Sequence, residues 1–281
     1  GVLVKNTEDW TNNYASGGQA GNATFVAREA GTDGNNLQVS TCPNAAAYEE
    51  EGATTVNDAS TAVGDTVVVT ASGAALNVGD IISFSTTAAT NDYDDGEQYR
   101  VTNISTNDVT IVQHPRGTGG LKRTLTDGSN IRRRWKYYDA VDGAPGTSTY
   151  VSERNGANDE IHVVVIDEDG GISGVPGTIL ETFSKLSKAS DAKDPQGNDN
   201  YYPNVIYTKS QYIYWTKHHA SGSNWGNAAS GTTFTAVNDP TLETMSGGSN
   251  GSAVTTGQIK SAYDKFADSE TVDIGLIIAG P

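Results

Sequence analysis

Residues 160–206 read "EIHVVVIDEDGGISGVPGTILETFSKLSKASDAKDPQGNDNYYPNVI" and contain the strongest structural signals in the chain. The run "IHVVVID" predicts a buried strand, because valine and isoleucine favour sheets and no polar residue alternates through its centre. Asp169, Gly170 and Gly171 then predict a tight hairpin turn, since glycine adopts positive φ freely and aspartate bonds its own backbone.

A helix is predicted to begin after this turn. Thr178 and Glu181 have the spacing of a capping box, in which the threonine oxygen accepts a backbone N–H and the glutamate bonds back. Ile179, Phe183 and Leu186 then form one apolar stripe, which is typical of a helix face packed on a core. The stretch is therefore interpreted as scaffold and not as a cofactor site.

The acids Asp167, Glu168 and Asp169 suit either a turn or a metal site. A calcium loop needs oxygen ligands at regular spacing up to a glutamate about twelve residues from its start. The match fails beyond Asp169, where Val175 and Gly177 follow. The spacing therefore favours the turn over a metal.

The composition limits the class of protein. The chain has 281 residues, enough for about two domains at ~100–200 residues each. Its net charge of −16 opposes binding to a nucleic-acid backbone. A single cysteine, Cys42, excludes an intrachain disulfide. We see neither a signal peptide nor an apolar run long enough to span a membrane.

The two ends of the sequence suggest a fragment. The chain opens without methionine and closes on "SETVDIGLIIAGP". Val272, Ile274 and the run 276–278 predict a strand buried on both faces. Because a buried strand is an unusual place for a protein to stop, we expect this chain to belong to a longer one.

Short strands dominate the region after residue 50. The segments "GDTVVVT", "GDIISFS", "EQYRVTNIS" and "DVTIVQ" alternate apolar and polar residues and are separated by Gly-Asp or Asn-Asp turns. About five such strands without a clear helix predict a small antiparallel β-barrel or sandwich, which closes near "IRRRWKYYDA".

Strands and helices alternate on either side of this β-region. "NTEDWTNNYA" predicts a helix from Asn6 or Thr7, "NNLQVSTC" predicts a strand, and "DGAPGTSTYVSERNGAND" predicts a linker. "TTGQIKSAYDKFAD" places Ile259, Tyr263 and Phe266 on one helical face. The expected class is α/β in the mixed α+β sense, with a mixed sheet, flanking helices and an inserted small β-domain.

The expected domain boundaries follow from these changes in predicted secondary structure along the chain. A first core segment covers 1–49, the inserted β-domain covers 50–140, and a second core segment covers 141–235. Residues 236–281 are expected to begin a further α/β domain.

Candidate catalytic and metal-binding residues are few. "GTS" at 146–148 is similar to the nucleophile segment of subtilisin-like proteases, with His114 upstream, but no helical pattern follows Ser148. His162, inside the apolar strand, is expected to be a satisfied, partly buried side chain. His218 and His219 lack the spacing of a helical metal pair. Neither a metal, a cofactor nor an enzymatic activity is predicted.

The basic run from Arg132 through Arg133 and Arg134 to Lys136 is the main cationic feature. It is interpreted first as a solvated strand edge. In so acidic a chain it is also a candidate contact for the carboxylates of another copy.

Long ordered blocks of the sequence resemble a known family. They include "FVAREAGTDGNNLQVSTCP", "VVVIDEDGGISGVPGTILETFSKLSKASDAKDPQGNDNYYPNVI", "YIYW" and "MSGGSNGS…IKSAYDKFADSETVDIGLIIAGP". Together these blocks resemble the tail sheath protein of contractile-tailed bacteriophages, over residues 2–48 and 158–281, about three fifths of the chain. The region between about 50 and 140 matches less well, as in a family whose members carry variable outer insertions.

The resemblance implies a structural role. Sheath subunits polymerise helically around the tail tube and contract to drive the tube through the host envelope. The implied partners are other sheath subunits, the tail tube, the baseplate and the tail terminator, in a virion assembled in the bacterial cytoplasm. One sheath region is subtilisin-like in topology, but the triad positions are not evident here. The resemblance implies that the family's N-terminal segment and C-terminal domain lie outside this sequence, so the isolated fragment is expected to be monomeric.

Two other classes remain as alternatives. The Gly/Thr/Asn-rich β-region and its aromatic residues would suit a binding module of a secreted adhesin or carbohydrate-recognition protein. A serine hydrolase would require a reactive Ser148, which a fluorophosphonate probe would label.

Overall fold

The computed structural model describes residues 3–16, 23–220, 222–235 and 239–267. The chain divides into two units, Gly1–Gly248 and Ser249–Pro281. Across the described residues the fold is mixed α+β, with three antiparallel sheets and few helices, and this confirms the expected class in its coarser form. The strand predicted at 272–278 lies outside the described residues.

The elements are bounded as follows. The helices are α1 (Thr7–Asn13), α2 (Ala45–Tyr48), α3 (Thr149–Ser152), α4 (Tyr202–Lys209) and α5 (Thr256–Asp264). The strands are β1 (Phe25–Ala27), β2 (Leu37–Cys42), β3 (Glu49–Thr55), β4 (Val67–Val69), β5 (Ile81–Ala88), β6 (Gln98–Ser105), β7 (Asp108–His114), β8 (Ser129–Arg134), β9 (Glu160–Asp167), β10 (Thr178–Ser187), β11 (Ile213–Trp215) and β12 (Thr241–Thr244).

Strand β9 forms the centre of the first unit, in a sheet ordered β10-β9-β2-β12. Successive side chains of a strand point to opposite faces. Val163 and Val165 pack on one face with Tyr202 of α4, whereas Val164 and Ile166 pack on the other beside Trp135. Both faces of β9 are therefore buried, which accounts for its uninterrupted apolar run. The named strands of this sheet pair antiparallel, so the expected mixed sheet is wrong.

The helix predicted from Thr178 is also wrong, because this segment is strand β10. Pairing with β9 covers an apolar strand that would otherwise be an edge, whereas an isolated helix of this length is marginal in water. The two capping residues have other contacts. Thr178 Oγ1 donates to the Val175 carbonyl (2.7 Å), and the Glu181 carboxylate accepts from Ser210 Oγ (2.6 Å).

The region after residue 50 forms a six-stranded antiparallel sheet, ordered β3-β8-β5-β6-β7-β4. The four predicted strand segments of this region are confirmed as β4 to β7. Hydrogen bonds also run between the ends of the outer strands. Asn57 N donates to the Val69 carbonyl and Ala71 N to the Thr55 carbonyl, each at 2.9 Å.

The chain passes into the six-stranded sheet through β3, which directly follows α2, and passes out of it through β8. These two strands are neighbours, with Glu49 paired to Arg134. The predicted linker that follows is partly wrong. It contains α3, where Val151 is fully buried against Ala189 and Phe234.

Two helices predicted near the ends of the chain are confirmed. Asn6 caps α1 by accepting from Asp9 N at 2.8 Å, and Trp10 of that helix stacks on Tyr207 with centroids 4.4 Å apart. In the second unit, Thr255 and Gln258 form a reciprocal capping box at the start of α5.

Candidate functional site

One carboxylate organises the loop between β9 and β10. Asp167 Oδ2 accepts from the backbone N–H of Ile172 (3.0 Å) and of Ser173 (2.5 Å), and from Ser173 Oγ (2.7 Å). Burial alone would raise the pKa of Asp167, but these hydrogen bonds outweigh it and hold the pKa below its ordinary value. The side chain is fully buried, so it acts inside the protein as a fixed acceptor.

The predicted hairpin is present, but it is not tight. Residues 168–177 form the connection between the two strands. Gly170 has the expected positive φ of 78°, whereas Gly171 does not. A Cβ on Gly171 would lie 2.5 Å from Asn36 Cγ, so a larger residue there would have to displace the Asn36 side chain.

We expect Asp167→Ala to lower the free energy of unfolding, because two backbone N–H groups and a hydroxyl of the loop lose their shared acceptor. Hydrogen exchange at the amides of Ile172 and Ser173 should become faster. Asp169→Ala is the matched control, since Asp169 is exposed, and it should change neither quantity. Equal exchange rates in the two variants would contradict the assignment of loop order to Asp167.

His162 is a satisfied side chain, as predicted, and it is fully rather than partly buried. Its Nδ1 accepts from Lys185 N at 2.9 Å, so its Nε2 carries the proton donated to the Gly143 carbonyl at 3.0 Å. Lys185 lies at a register shift in β10 with φ of 50°, a conformation unusual for a side-chain-bearing residue. Burial lowers the pKa of His162 to about 4, so the ring stays neutral. A neutral ring can accept the hydrogen bond from Lys185 N at this register shift.

His218 belongs to an aromatic cluster beside α4. Trp215 Nε1 donates to the Tyr202 hydroxyl (2.9 Å), and the same hydroxyl bonds His218 Nδ1 at 2.7 Å. The remaining ring nitrogen faces the Tyr201 hydroxyl at 3.3 Å. Burial lowers the pKa of His218 to about 4. The neutral His218 ring therefore joins the hydroxyl groups of Tyr202 and Tyr201 through hydrogen bonds.

Lys188 is a buried cation that no local pattern in the sequence indicated. Its side chain is fully buried, and Nζ donates to three backbone carbonyls, those of Pro43 (2.8 Å), Asn158 (2.8 Å) and Glu160 (2.9 Å). Burial lowers the pKa of Lys188 to about 7, and the nearby Asp159 opposes that shift. All three protons of the ammonium therefore have acceptors, and the group ties three segments together.

The Ser148 hydroxyl is used structurally. Ser148 caps α3, and its Oγ donates to Asp159 Oδ2 at 2.9 Å while accepting from Val151 N at 3.3 Å. Asp159 also accepts from Ser187 Oγ at 2.5 Å. His114 ends β7 in the other sheet and is not brought to this serine. The Ser148 hydroxyl therefore caps a helix and bonds a buried carboxylate.

The predicted solvated edge at Arg132, Arg133 and Arg134 is wrong. These residues end β8, which lies between β3 and β5, and the first two are buried. Acids of the same chain neutralise them, with Arg132 paired to Asp95, Arg133 to Glu50 and Arg134 to Glu49. These guanidinium groups make contacts within the chain, and their contact with the carboxylates of another copy stays a prediction.

Other reactive or metal-binding features are limited in the described residues of the chain. Burial raises the pKa of Cys42 to about 12, so its thiol stays protonated. Among the described residues, His, Cys, Asp and Glu nowhere gather in a group of three able to hold a metal ion. Within those same ranges, no helix has the length and apolar character needed to cross a bilayer.

No family model matches the chain, and no curated protein matches it.

Proposed function

We propose that this chain is the central region of a structural subunit of a contractile phage tail sheath. The observation that carries the proposal is the ordered resemblance over residues 2–48 and 158–281. These blocks contain β2, β9, β10 and β12, so the resemblance falls on all four strands of one sheet. In this proposal the four-stranded sheet and its helices are the sheath core.

The less similar region is the proposed outer insertion, with the domain divisions at 49, 140 and 235 expected from the sequence. We propose that its six strands close into a small barrel. The hydrogen bonds from Asn57 to Val69 and from Ala71 to Thr55 support closure, since they join the two outer strands of the sheet order. One buried cluster, which includes Phe84, lies within this region, as a barrel interior requires.

The side chains of a type that can act in catalysis make structural contacts, which supports a non-enzymatic role. Lys188, Ser148 and His162 are each hydrogen-bonded to groups of the same chain. Such contacts stabilise a subunit that must move as a rigid body. A sheath that exchanges external contacts during contraction needs subunits of this kind.

The proposed partners are other sheath subunits, the tail tube, the baseplate and the tail terminator, within the virion. A heterologous interface whose rotation does not close generates a helical filament. If each subunit favours the contracted lattice by ~1–3 kcal/mol, the scale of a typical coupling energy, many subunits together supply a large driving force.

Electron microscopy of the full-length parent protein, expressed alone, tests the proposal. Hollow tubes are the expected result. Should the parent form neither tubes nor tail-like polymers, even with tube and baseplate proteins added, the sheath proposal would be abandoned.

A further inference from the structure

A cavity lies where the four-stranded and six-stranded sheets meet, and its volume is about 250 Å³. Ser40 of β2 and Leu242 of β12 line it from the four-stranded sheet. Asp80, which precedes β5, and Trp135 and Tyr137, which follow β8, line it from the six-stranded sheet. We call this space the junction cavity.

The junction cavity has an apolar mouth and holds a carboxyl group at its base. Val78 and Leu242 are 57% and 50% exposed, so they lie at the mouth. Trp135 and Asp80 are only 1% and 2% exposed, so they lie at the base. At ~30 Å³ for each water molecule, the volume would hold roughly eight waters, or a ligand of about eight to ten non-hydrogen atoms.

The Asp80 carboxyl group is held in place but has few hydrogen-bond donors. Val101 N donates to the Asp80 carbonyl at 2.9 Å, and Gly79 N donates to the Val101 carbonyl at 2.8 Å, so the turn at 77–80 is fixed to β6. Within the described ranges, Asn77 is the only residue that bonds the carboxyl group, and its N donates to Oδ2 at 2.7 Å. The carboxyl group can therefore accept further hydrogen bonds.

The other two buried carboxylates of the described residues have more donors. Asp159 and Asp167 each accept three hydrogen bonds. At Asp167 these bonds outweigh the effect of burial on the pKa, whereas at Asp80 burial dominates and raises the pKa to about 6. Asp80 is thus the buried carboxylate with the fewest donors from its own chain.

The charges near Asp80 are engaged with other groups. No Lys, Arg or His nitrogen lies within 4.0 Å of it in the described part of the chain. The positive charge of Arg133 lowers the pKa of Asp80, but that guanidinium is paired with Glu50 at 3.1 Å and lies 3.6 Å from Asp239. Asp239 in turn raises the pKa of Asp80.

Lys136 also lines the junction cavity, but its ammonium contacts another side chain. Its Nζ lies 5.0 Å from the centroid of the Tyr137 ring, within the range of a cation–π contact. Burial and Arg100 lower the pKa of Lys136, and Glu168 is the carboxylate that raises it. Among the described residues, the Asp80 carboxylate is therefore without a cation of its own.

We propose that the junction cavity binds a primary ammonium group on a small apolar body, with the ammonium donating to the Asp80 carboxylate. The ammonium supplies both the donors and the positive charge that Asp80 lacks. The apolar body covers Val78 and Leu242 at the mouth. A chain of net charge −16 also raises the local concentration of cations. This site goes beyond the sheath proposal and does not depend on it.

An NMR titration with 2-phenylethylammonium, whose size fits the cavity, tests the site. The reporter is the indole N–H of Trp135, which donates to Ser40 Oγ at 2.9 Å beside the cavity. We expect a saturable shift with a dissociation constant on the order of a millimolar. 2-Phenylethanol has a similar size without the charge and should bind about tenfold more weakly or worse, because hydrogen bonds between charged groups are the stronger ones.

Two variants and a matched control locate the ammonium. Asp80→Asn should weaken its binding about tenfold or more, and asparagine keeps an oxygen that accepts from Asn77 N, so the fold should persist. Asp108→Asn is the control, because Asp108 is exposed on β7 and its replacement removes the same charge, so binding should be unchanged. Val78→Trp leaves the carboxyl group intact but fills the mouth, and it should also prevent binding.

The pH dependence separates an ammonium contact from purely apolar binding. Binding requires the ionised carboxylate, and burial raises the pKa of Asp80 to about 6. Lowering the pH from 7 to 5.5 should therefore weaken binding about fourfold in the wild type. Asp80→Asn should show no such change.

The same chemistry also occurs on the lysine side chains of proteins. Nα-acetyl-lysine methylamide tests that source, and it should bind more weakly than 2-phenylethylammonium because its chain fills less of the cavity. If it bound as tightly, the ammonium site would stand, and its occupant would be a lysine side chain of a partner protein.

Three results would each overturn the site: no saturable shift at Trp135, equal binding of the ammonium and the alcohol, or equal binding by Asp80→Asn and Asp108→Asn. Tube formation by the parent protein decides the sheath proposal separately, whichever result the titration gives.

Discussion

Lys188→Met is expected to lower the free energy of unfolding by about 1–3 kcal/mol, the range for leaving buried hydrogen-bonding groups without a partner. Methionine fills a similar volume but cannot donate hydrogen bonds. The carbonyls of Pro43, Asn158 and Glu160 would therefore remain buried without their donor, and Asp159 would lose a nearby positive charge. Burial of the ammonium is itself unfavourable, as the pKa of Lys188 of about 7 indicates, so its removal offsets part of this loss.

Chemical denaturation at pH 7 measures the effect, and Lys209→Met is the matched control. Lys209 is exposed in the last turn of α4, so its replacement should change stability by less than about 0.5 kcal/mol. If the two methionine variants unfolded at the same denaturant concentration, the three carbonyl contacts of Lys188 would make no net contribution to the free energy of unfolding.

Acidification from pH 7 to 4.5 is expected to destabilise the protein strongly through two histidines. The folded pKa of His162 and of His218 is about 4, below the ordinary value of 6.5. Between these values the unfolded chain binds more protons, so the free energy of unfolding falls as pH falls. The full contribution of His162 is about 3 kcal/mol, with less from His218 because solvent reaches some of its ring.

His162→Gln and His218→Gln test the origin of this pH dependence. Each variant is expected to lose less stability than the wild type between pH 7 and 4.5, whatever its stability at pH 7. Because every carboxylate is unchanged, the difference between the curves isolates the histidines. If both variants lost as much as the wild type, the neutral-ring hydrogen bonds would not be the cause.

Much of the fold could be predicted wherever the sequence pattern within one segment determines its secondary structure. The alternation in β5 to β7 and the N-cap of α1 depend on neighbouring residues, and both were correct. The segment from Thr178 carried two local signals, a capping pattern and β-branched residues, and only pairing with β9 decided between them. Local propensity is a weak guide when a buried strand needs a partner.

The candidate sites were harder to predict, because their members are distant in sequence. Lys188 contacts the Pro43 carbonyl across 145 positions, and no pattern around either residue marks that contact. The run Arg132 to Arg134 looked free because its acids, Glu49, Glu50 and Asp95, lie far away along the chain. In both cases the tertiary fold brings the charged group and its partners together.

The strand order also bears on how the chain folds during synthesis. β3 to β8 occupy a continuous stretch and can pair as soon as residue 134 has left the ribosome. The other sheet must wait, because β2 pairs with β9 and with β12, the latter up to Thr244. Contacts of such high sequence separation form slowly. We therefore expect the six-stranded sheet to fold first, while the exposed β2 awaits partners that are translated much later.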